Sequence, residues 1–255
     1  MFSNTLIDAI KNSKNLVVLT GAGVSSESGI PTFRENNGIW KNFDIEKLAS
    51  EKGFLSDPAY AWHFYKQCKF EILKKSPNPA HIALVNLAKK LPKLTLITQN
   101  VDDLHERAGS DNVLYLHGNI FKSQCISCRR IYSNSLEKFI DSSIEDLEPS
   151  ADSIPKCQSC DGILRPNVVW FGEELPKNTL SQATHAANEC DLMLIIGTSG
   201  LVYPAATIPM IANNKGIKII QIDPNETGFD SVATFNFKGK AGEVLPELYK
   251  AAFGG

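Results

Sequence analysis

Two Cys-x-x-Cys pairs, Cys125-Ile-Ser-Cys128 and Cys157-Gln-Ser-Cys160, carry the most specific chemical signal in the chain. Two thiolates at this spacing grip one metal ion from a tight knuckle. Two knuckles complete a tetrahedral four-sulfur zinc site. Four thiolates leave no coordination position open, so the zinc expected here is structural. Redox dithiols are the competing reading of such pairs. Cys68 and Cys190 stand apart and read as packing residues, not nucleophiles. The opening residues Met1 to Ile10 form a short amphipathic helix and lack the basic leader and apolar block of a secretory signal. Cysteines so spaced in such a chain indicate metal in a reducing, cytoplasmic setting, not disulfides.

A second set of reactive side chains follows short apolar runs. After Leu16–Thr20 comes Gly21-Ala-Gly-Val-Ser-Ser-Glu-Ser-Gly-Ile-Pro-Thr-Phe-Arg34. Gly21 and Gly23 let the backbone turn tightly and approach a ligand with no Cβ in the way. A helix starting there would aim free N–H groups at a phosphate. The turn has the form of a dinucleotide-binding loop, with serine where a third glycine would stand. Pro31 then stops any helix and keeps Ile30 extended. A dehydrogenase would run a full helix here and place an acidic residue about 20 positions on. This chain does neither. An irregular loop instead brings Phe33 and Arg34, an aromatic face and a fixed cation, beside the bound nucleotide.

His117 closes the run Val113-Leu-Tyr-Leu-His-Gly118, where a strand would open onto a cleft. Imidazole is the natural general base near neutral pH. Gln99, Asn100 and Asp102 follow Leu94–Thr98 and suit an amide-bearing ligand, because a carboxamide needs both donors and acceptors. Asn100 or Asp102 would equally cap a helix, and the two roles are compatible. Asn225, after Ile217–Asp223, suits a ribose hydroxyl or a plain turn. His105 reads as structural, at a helix start. His63, His81 and His185 lie on helical segments with no second ligand at useful spacing.

The elements that must position these groups alternate. Strands are expected at Leu16–Thr20, Leu94–Thr98, Val113–Leu116, Leu192–Ile196, Ile217–Ile222 and Thr234–Phe237. Helical patterns cover Pro58–Leu73, Pro79–Leu91, Asp102–Ala108, Tyr203–Asn213 and Gly242–Ala252. This order predicts an α/β protein with a Rossmann-like, doubly wound parallel sheet, ligands binding at the carboxyl ends of its strands. Gly21, Gln99 to Asp102, His117, Gly197-Thr-Ser199 and Asp223-Pro-Asn225 all fall at such ends and point to one shared cleft. A small zinc-binding and helical module is expected as an insertion. The large domain takes 1–29, 77–122 and 173–255, and the small one 30–76 and 123–172. Asn134 to Pro155 is acidic, serine-rich and expected to be exposed. With 255 residues the chain can bury a sizeable core. A net charge of −2 gives no electrostatic case for nucleic-acid or membrane binding.

Taken in order, Gly21 to Arg34, Thr98-Gln-Asn-Val-Asp-Asp-Leu-His105, Leu116-His-Gly118, the two Cys-x-x-Cys pairs, Val168-Val-Trp-Phe-Gly-Glu173 and Gly197-Thr-Ser199 resemble the sirtuins, NAD-dependent protein lysine deacylases. The resemblance spans about residues 10 to 250. It implies that NAD, a consumed co-substrate, and an acyl-lysine protein or peptide meet between a Rossmann-like domain and a zinc-bearing one, in a monomer. It places Gly21, Ala22, Gly23, Phe33, Arg34, Gln99, Gly197, Thr198, Ser199, Asn225 and Ala241 on NAD. Asn100 and Asp102, with Ile30, form its nicotinamide pocket. Val168, Val169, Phe171, Gly172 and Glu173 would pair with the substrate backbone as an added strand.

The implied chemistry starts with attack of the acyl oxygen on the ribose carbon bearing nicotinamide, which is displaced, leaving an alkylimidate. His117, with Asn100 beside it, then serves as base for a ribose hydroxyl that attacks the imidate carbon. Water finishes the reaction, giving free lysine and an O-acyl-ADP-ribose. Thr32, Gly200-Leu-Val-Tyr203 and Trp62-His-Phe-Tyr65 lean toward the branch that removes succinyl and malonyl groups with a Tyr-x-x-Arg pair. Here Tyr65 is present, but Cys68 stands at the arginine position, and a helix would point Lys69 elsewhere. Deacetylation or another neutral-acyl removal is therefore expected, with weak desuccinylation as the alternative. ADP-ribosyl transfer, NAD hydrolysis and a non-catalytic NAD-sensing module are the rival readings.

Overall fold

A computed structural model describes residues 2–31, 48–133 and 154–254. Thr32, Phe33, Arg34 and nearly all of the acidic serine-rich stretch lie outside them. Six parallel strands form one sheet: β1 (Leu16–Thr20), β2 (Leu94–Thr98), β3 (Leu114–Tyr115), β7 (Leu192–Ile196), β8 (Lys218–Ile222) and β9 (Phe235–Phe237). Their order is β3-β2-β1-β7-β8-β9, the doubly wound arrangement. The order reverses between β1 and β7, which pair in register from Leu16 opposite Leu192 to Thr20 opposite Ile196. In a doubly wound sheet the ligand crevice lies at such a switch point, here beyond Thr20 and Ile196.

Strict alternation along the central strands explains the two-sided burial. Leu16, Val18, Leu96, Leu192, Leu194, Ile196, Ile220 and Ile222 pack on one face, against α1 (Asn4–Asn12), α5 (Pro79–Lys90) and α9 (Ala241–Phe253). Val17, Leu19, Ile97, Met193, Ile195 and Ile219 face the other way, onto α7 (Lys177–Glu189) and α8 (Thr207–Asn214). Strands covered on both faces read as continuous apolar runs, which is why they stand out in the sequence. Helix α7 does not stand out. Its buried face is built from Ala183, Ala186 and Ala187, too weakly apolar to mark a helical period.

The second unit is an antiparallel three-stranded sheet of β4 (Gly118–Cys125), β5 (Ile131–Ser133) and β6 (Leu164–Val168), with β4 in the middle. The short α3 (Glu51–Ser56) and the long α4 (Pro58–Leu73) pack with it. Asp57 caps α4 by accepting the Tyr60 N–H at 3.0 Å, with Pro58 in the first turn. Strand β4 begins at Gly118, immediately after His117. One expectation needs correcting here: the helix expected from Tyr203 begins only at Thr207. Among the described residues no helix is long and apolar enough to cross a membrane.

Candidate active site and zinc centre

At the switch point two glycine turns lock together. Gly21 N–H donates to the Ile196 carbonyl at 3.0 Å, and Gly23 N–H to the Gly197 carbonyl at 2.9 Å. A Cβ on Gly23 would lie 2.6 Å from Gly197 Cα, and one on Gly21 2.7 Å from the Gly197 oxygen. The expectation that these glycines clear space for a ligand is therefore incomplete, since the facing loop already fills the Cβ positions. They are glycines because two strand-end turns touch. Helix α2 (Gly23–Ser26) is a single turn, and Gly29 at φ +82° turns the chain before Pro31 is reached.

Helix α2 presents Ser25 to the β2 end. Asn100 Nδ2 donates to Ser25 Oγ at 3.1 Å, and the Asn100 N–H donates to Thr98 Oγ1 at 3.0 Å. The buried Asp102 accepts the Leu104 N–H at 3.0 Å and also bonds Ser25. Burial raises the pKa of Asp102 against the pull of those two donors. Asp102 thus holds the first residue of α6 (Leu104–Ala108), whose N-cap position is Asp103, while Asn100 faces Ser25. Ile30 is half-buried, its N–H on the Ser25 carbonyl at 3.3 Å, and it packs against the core of the small sheet.

His117 is held from behind. Its Nδ1 lies 2.8 Å from the Gln99 carbonyl oxygen. A carbonyl only accepts, so Nδ1 carries the proton and Nε2 keeps a free lone pair. That is the tautomer a general base needs. Burial lowers the His117 pKa below its ordinary value, and the Gln99 bond works the other way. The Gln99 side chain reaches across the crevice to Thr198 Oγ1 at 2.8 Å, tying the β2 end to the Gly197–Ser199 turn. Ser199 is half-buried and accepts the Leu201 N–H. Asn225 is exposed beyond β8, its N–H on Asp223 Oδ1 at 2.9 Å and its carbonyl accepting from Lys238. Ala22 is half-buried before α2, and Ala241 is buried at the first turn of α9.

Beside His117 runs the segment that follows β6. Val168 is paired with Gly118, and Val169 N–H donates to the His117 carbonyl at 2.8 Å. Phe171 is 67 % exposed, and Gly172 turns the chain at φ +85°. Glu173 is turned inward and takes a structural part that its place in the motif did not suggest. It forms a bidentate pair with the buried Arg165 and accepts the Trp170 N–H at 2.8 Å. Arg165 also donates to the Val168 carbonyl at 2.7 Å and stacks on the Trp170 ring. Sequence reading missed Arg165 altogether, since a lone arginine in a strand carries no sign of its partner.

On α4, Tyr65 accepts a hydrogen bond from Trp170 Nε1 at 2.9 Å. Cys68 is only 2 % exposed and lies in the apolar cluster beneath the helix. Lys69 is also buried, with its ammonium 5.0 Å from the Trp62 ring. Burial, then the nearby Lys66, pulls its pKa down to about 7.

The four cysteines of the two pairs converge. Their sulfurs all lie within 4.8 Å of one another, with Cys125 to Cys160 at 3.5 Å and Cys128 to Cys157 at 3.6 Å. A tetrahedral Zn–S shell needs sulfurs ~3.8 Å apart. Separations of this size are far beyond a disulfide bond. The Cys128 N–H points at Cys125 Sγ, the knuckle geometry expected of the motif. The donor set fits one structural zinc ion and leaves no ligand position for catalysis.

Residues 21–204 match the family model described as the Sir2 family. An NAD-dependent protein deacylase of Methylococcus capsulatus is 44 % identical over 253 residues, covering 98 % of this chain and 97 % of the relative. A crystal structure of a Sir2 homologue–NAD complex superposes with a TM-score of 0.85 at 41 % identity, covering 99 % of this chain and 94 % of the other. A Sir2 mutant bound to a p53 peptide and NAD gives a TM-score of 0.80 at 34 % identity, covering 98 % of each chain.

Proposed function

The chain belongs to the Sir2 family and is an NAD-dependent protein deacylase; from that premise we propose that His117 is its general base and that it removes neutral acyl groups from lysine. The observation that carries the first part is the bond from His117 Nδ1 to the Gln99 carbonyl, which leaves Nε2 unprotonated. When bound, NAD supplies a ribose carbon from which nicotinamide can depart. Asn100 and Asp102, braced by Ser25, receive the carboxamide, and Ile30 closes the pocket. His117 Nε2 takes the proton of a ribose hydroxyl. The turns at Gly21–Gly23 and Gly197–Ser199 hold the phosphates and the neighbouring ribose, with Asn225 and Ala241 on the adenosine side. Phe33 and Arg34, outside the described residues, are assigned to the nucleotide by their place in the sequence motif alone.

The peptide pairs with the backbone from Val168 to Glu173, next to His117. Acyl preference follows from α4. Tyr65 is buried and accepts from Trp170, and Cys68 offers no cation where a carboxylate-bearing acyl group would need one. In this reading the chain divides into an NAD-binding domain (1–29, 77–122 and 173–255) and a substrate and zinc domain (30–76 and 123–172). The enzyme works as a cytoplasmic monomer on acyl-lysine proteins, without nucleic-acid or membrane partners, in keeping with its net charge of −2.

The test is nicotinamide release from NAD with one lysine peptide carrying acetyl, butyryl, a long-chain acyl group, succinyl or no acyl group, with peptide mass followed in parallel. Release and mass loss that require a neutral acyl group support the reading. A preference for succinyl refutes the acyl assignment. Equal release without any acyl group points to NAD hydrolysis or ADP-ribosyl transfer.

A further inference from the structure

Two imidazoles that the proposed chemistry does not use lie buried behind Asn100. The His81 and His105 rings stand 4.8 Å apart between centroids, and both side chains are closed to solvent. The Asn78 N–H donates to His81 Nδ1 at 3.3 Å, so neutral His81 carries its proton on Nε2. His105 Nε2 lies 3.0 Å from Thr20 Oγ1, and Thr20 Oγ1 donates to Thr98 Oγ1 at 2.9 Å. Thr98 Oγ1 in turn accepts the Asn100 N–H. With its own proton directed at Thr98, Thr20 accepts from His105, which places that proton on Nε2 as well.

The two ring atoms left over are complementary, a donor on His81 Nε2 and an acceptor on His105 Nδ1. Neither has a hydrogen-bond partner among the described residues, so the two rings meet by packing alone. Burial, then Arg107, takes the His81 pKa down to about 4, and burial, then His81, takes that of His105 to about 3. Both rings are therefore neutral at physiological pH. Asn78 also ties off the other side, donating to the Val24 carbonyl at 2.8 Å and to Ser28 Oγ at 3.0 Å, on either side of the Ser25 that holds the Asn100 side chain.

We propose that His105, backed by His81, is a positioning residue for Asn100: a pair of neutral Nε2–H imidazoles sets one direction of hydrogen bonding through Thr20 and Thr98 and so fixes the Asn100 backbone. The inference rests on the reading that Asn100 faces nicotinamide. The His81 ring in the first turn of α5 packs against His105, while Asn78 at the same helix end braces the segment that carries Ser25.

The test uses the full chain, labelled with ¹⁵N-histidine. Imidazole nitrogen shifts, assigned with His81→Gln and His105→Gln, should report neutral Nε2–H tautomers for both rings. In nicotinamide release with NAD and an acetyl-lysine peptide, Thr20→Val and His105→Phe should each lose roughly 10- to 100-fold in kcat, with the peptide KM unchanged. His105→Gln, whose amide N–H can reach Thr20, should recover most of that loss. An Nδ1–H tautomer at His105, wild-type kcat in Thr20→Val, or a His105→Gln as impaired as His105→Phe would overturn the proposal. Should His105→Phe fail to fold, the tautomers and the near-isosteric Thr20→Val decide it. Undiminished turnover in His117→Ala would instead refute the site reading, and the tautomer result would still stand or fall separately.

Discussion

Removing the Glu173 carboxylate tests whether the strand beside His117 is held by one buried ion pair. Arg165 is 4 % exposed and Glu173 27 % at the residue or side-chain level, so the pair is sealed on one side and wetted on the other. Glu173→Ala deletes two guanidinium bonds and the acceptor of the Trp170 N–H, and leaves a charge behind. Truncating one partner of a buried pair costs ~3–5 kcal/mol. Here the guanidinium keeps the Val168 carbonyl and the Trp170 ring, and water can reach the vacated side. The lower end, ~3 kcal/mol, is therefore expected. For a chain of this size that lowers Tm by about 6–12 °C.

The pH dependence of Glu173→Gln adds a sign. Burial alone would raise the Glu173 pKa, but the bonds from Arg165 and from Trp170 N–H outweigh it and hold the group below its ordinary 4.5. The native carboxylate's contribution is then complete above about pH 4.5 and lost as pH falls through the lower folded value. The Tm gap between wild type and Glu173→Gln should therefore be full at neutral pH and close in acid. Calorimetry at several pH values reads this directly. The peptide KM should rise in Glu173→Ala while NAD affinity, measured by titration calorimetry, stays put. A Tm within about 2 °C of wild type, or a gap that widens in acid, would refute the clamp.

Other expectations follow from the same geometry. His117→Ala should lower kcat by ~10²–10⁴-fold with NAD binding retained by calorimetric titration. Because burial depresses the His117 pKa from 6.5, the acid limb of kcat/KM should fall at a pH below that value and vanish with the imidazole. Cys128→Ser should reduce bound zinc below one ion per chain by elemental analysis and destabilise the small sheet, whose β4 carries Cys125; full zinc occupancy in that variant would exclude the four-sulfur site.

The amino-acid sequence alone determined whatever depends on neighbours along the chain. The Cys-x-x-Cys knuckles, the early end of the helix ahead of Pro31 and the apolar strands of the large sheet are all short-range features, and each was legible. So was the placing of His117 at a strand end. Tertiary structure decided what depends on a distant segment. Leu164–Val168, with Arg165, Pro166 and Asn167 inside it, has no strand pattern, and it became β6 only by pairing with β4. Gly21 and Gly23 are required by Gly197, far along the chain. Which nitrogen of His117 is free was set by the carbonyl of Gln99, and the fate of Glu173 by a guanidinium on the preceding strand. A residue's type states what it can donate, accept or bury, but its partner is chosen by packing, and only the folded chain brings the two together.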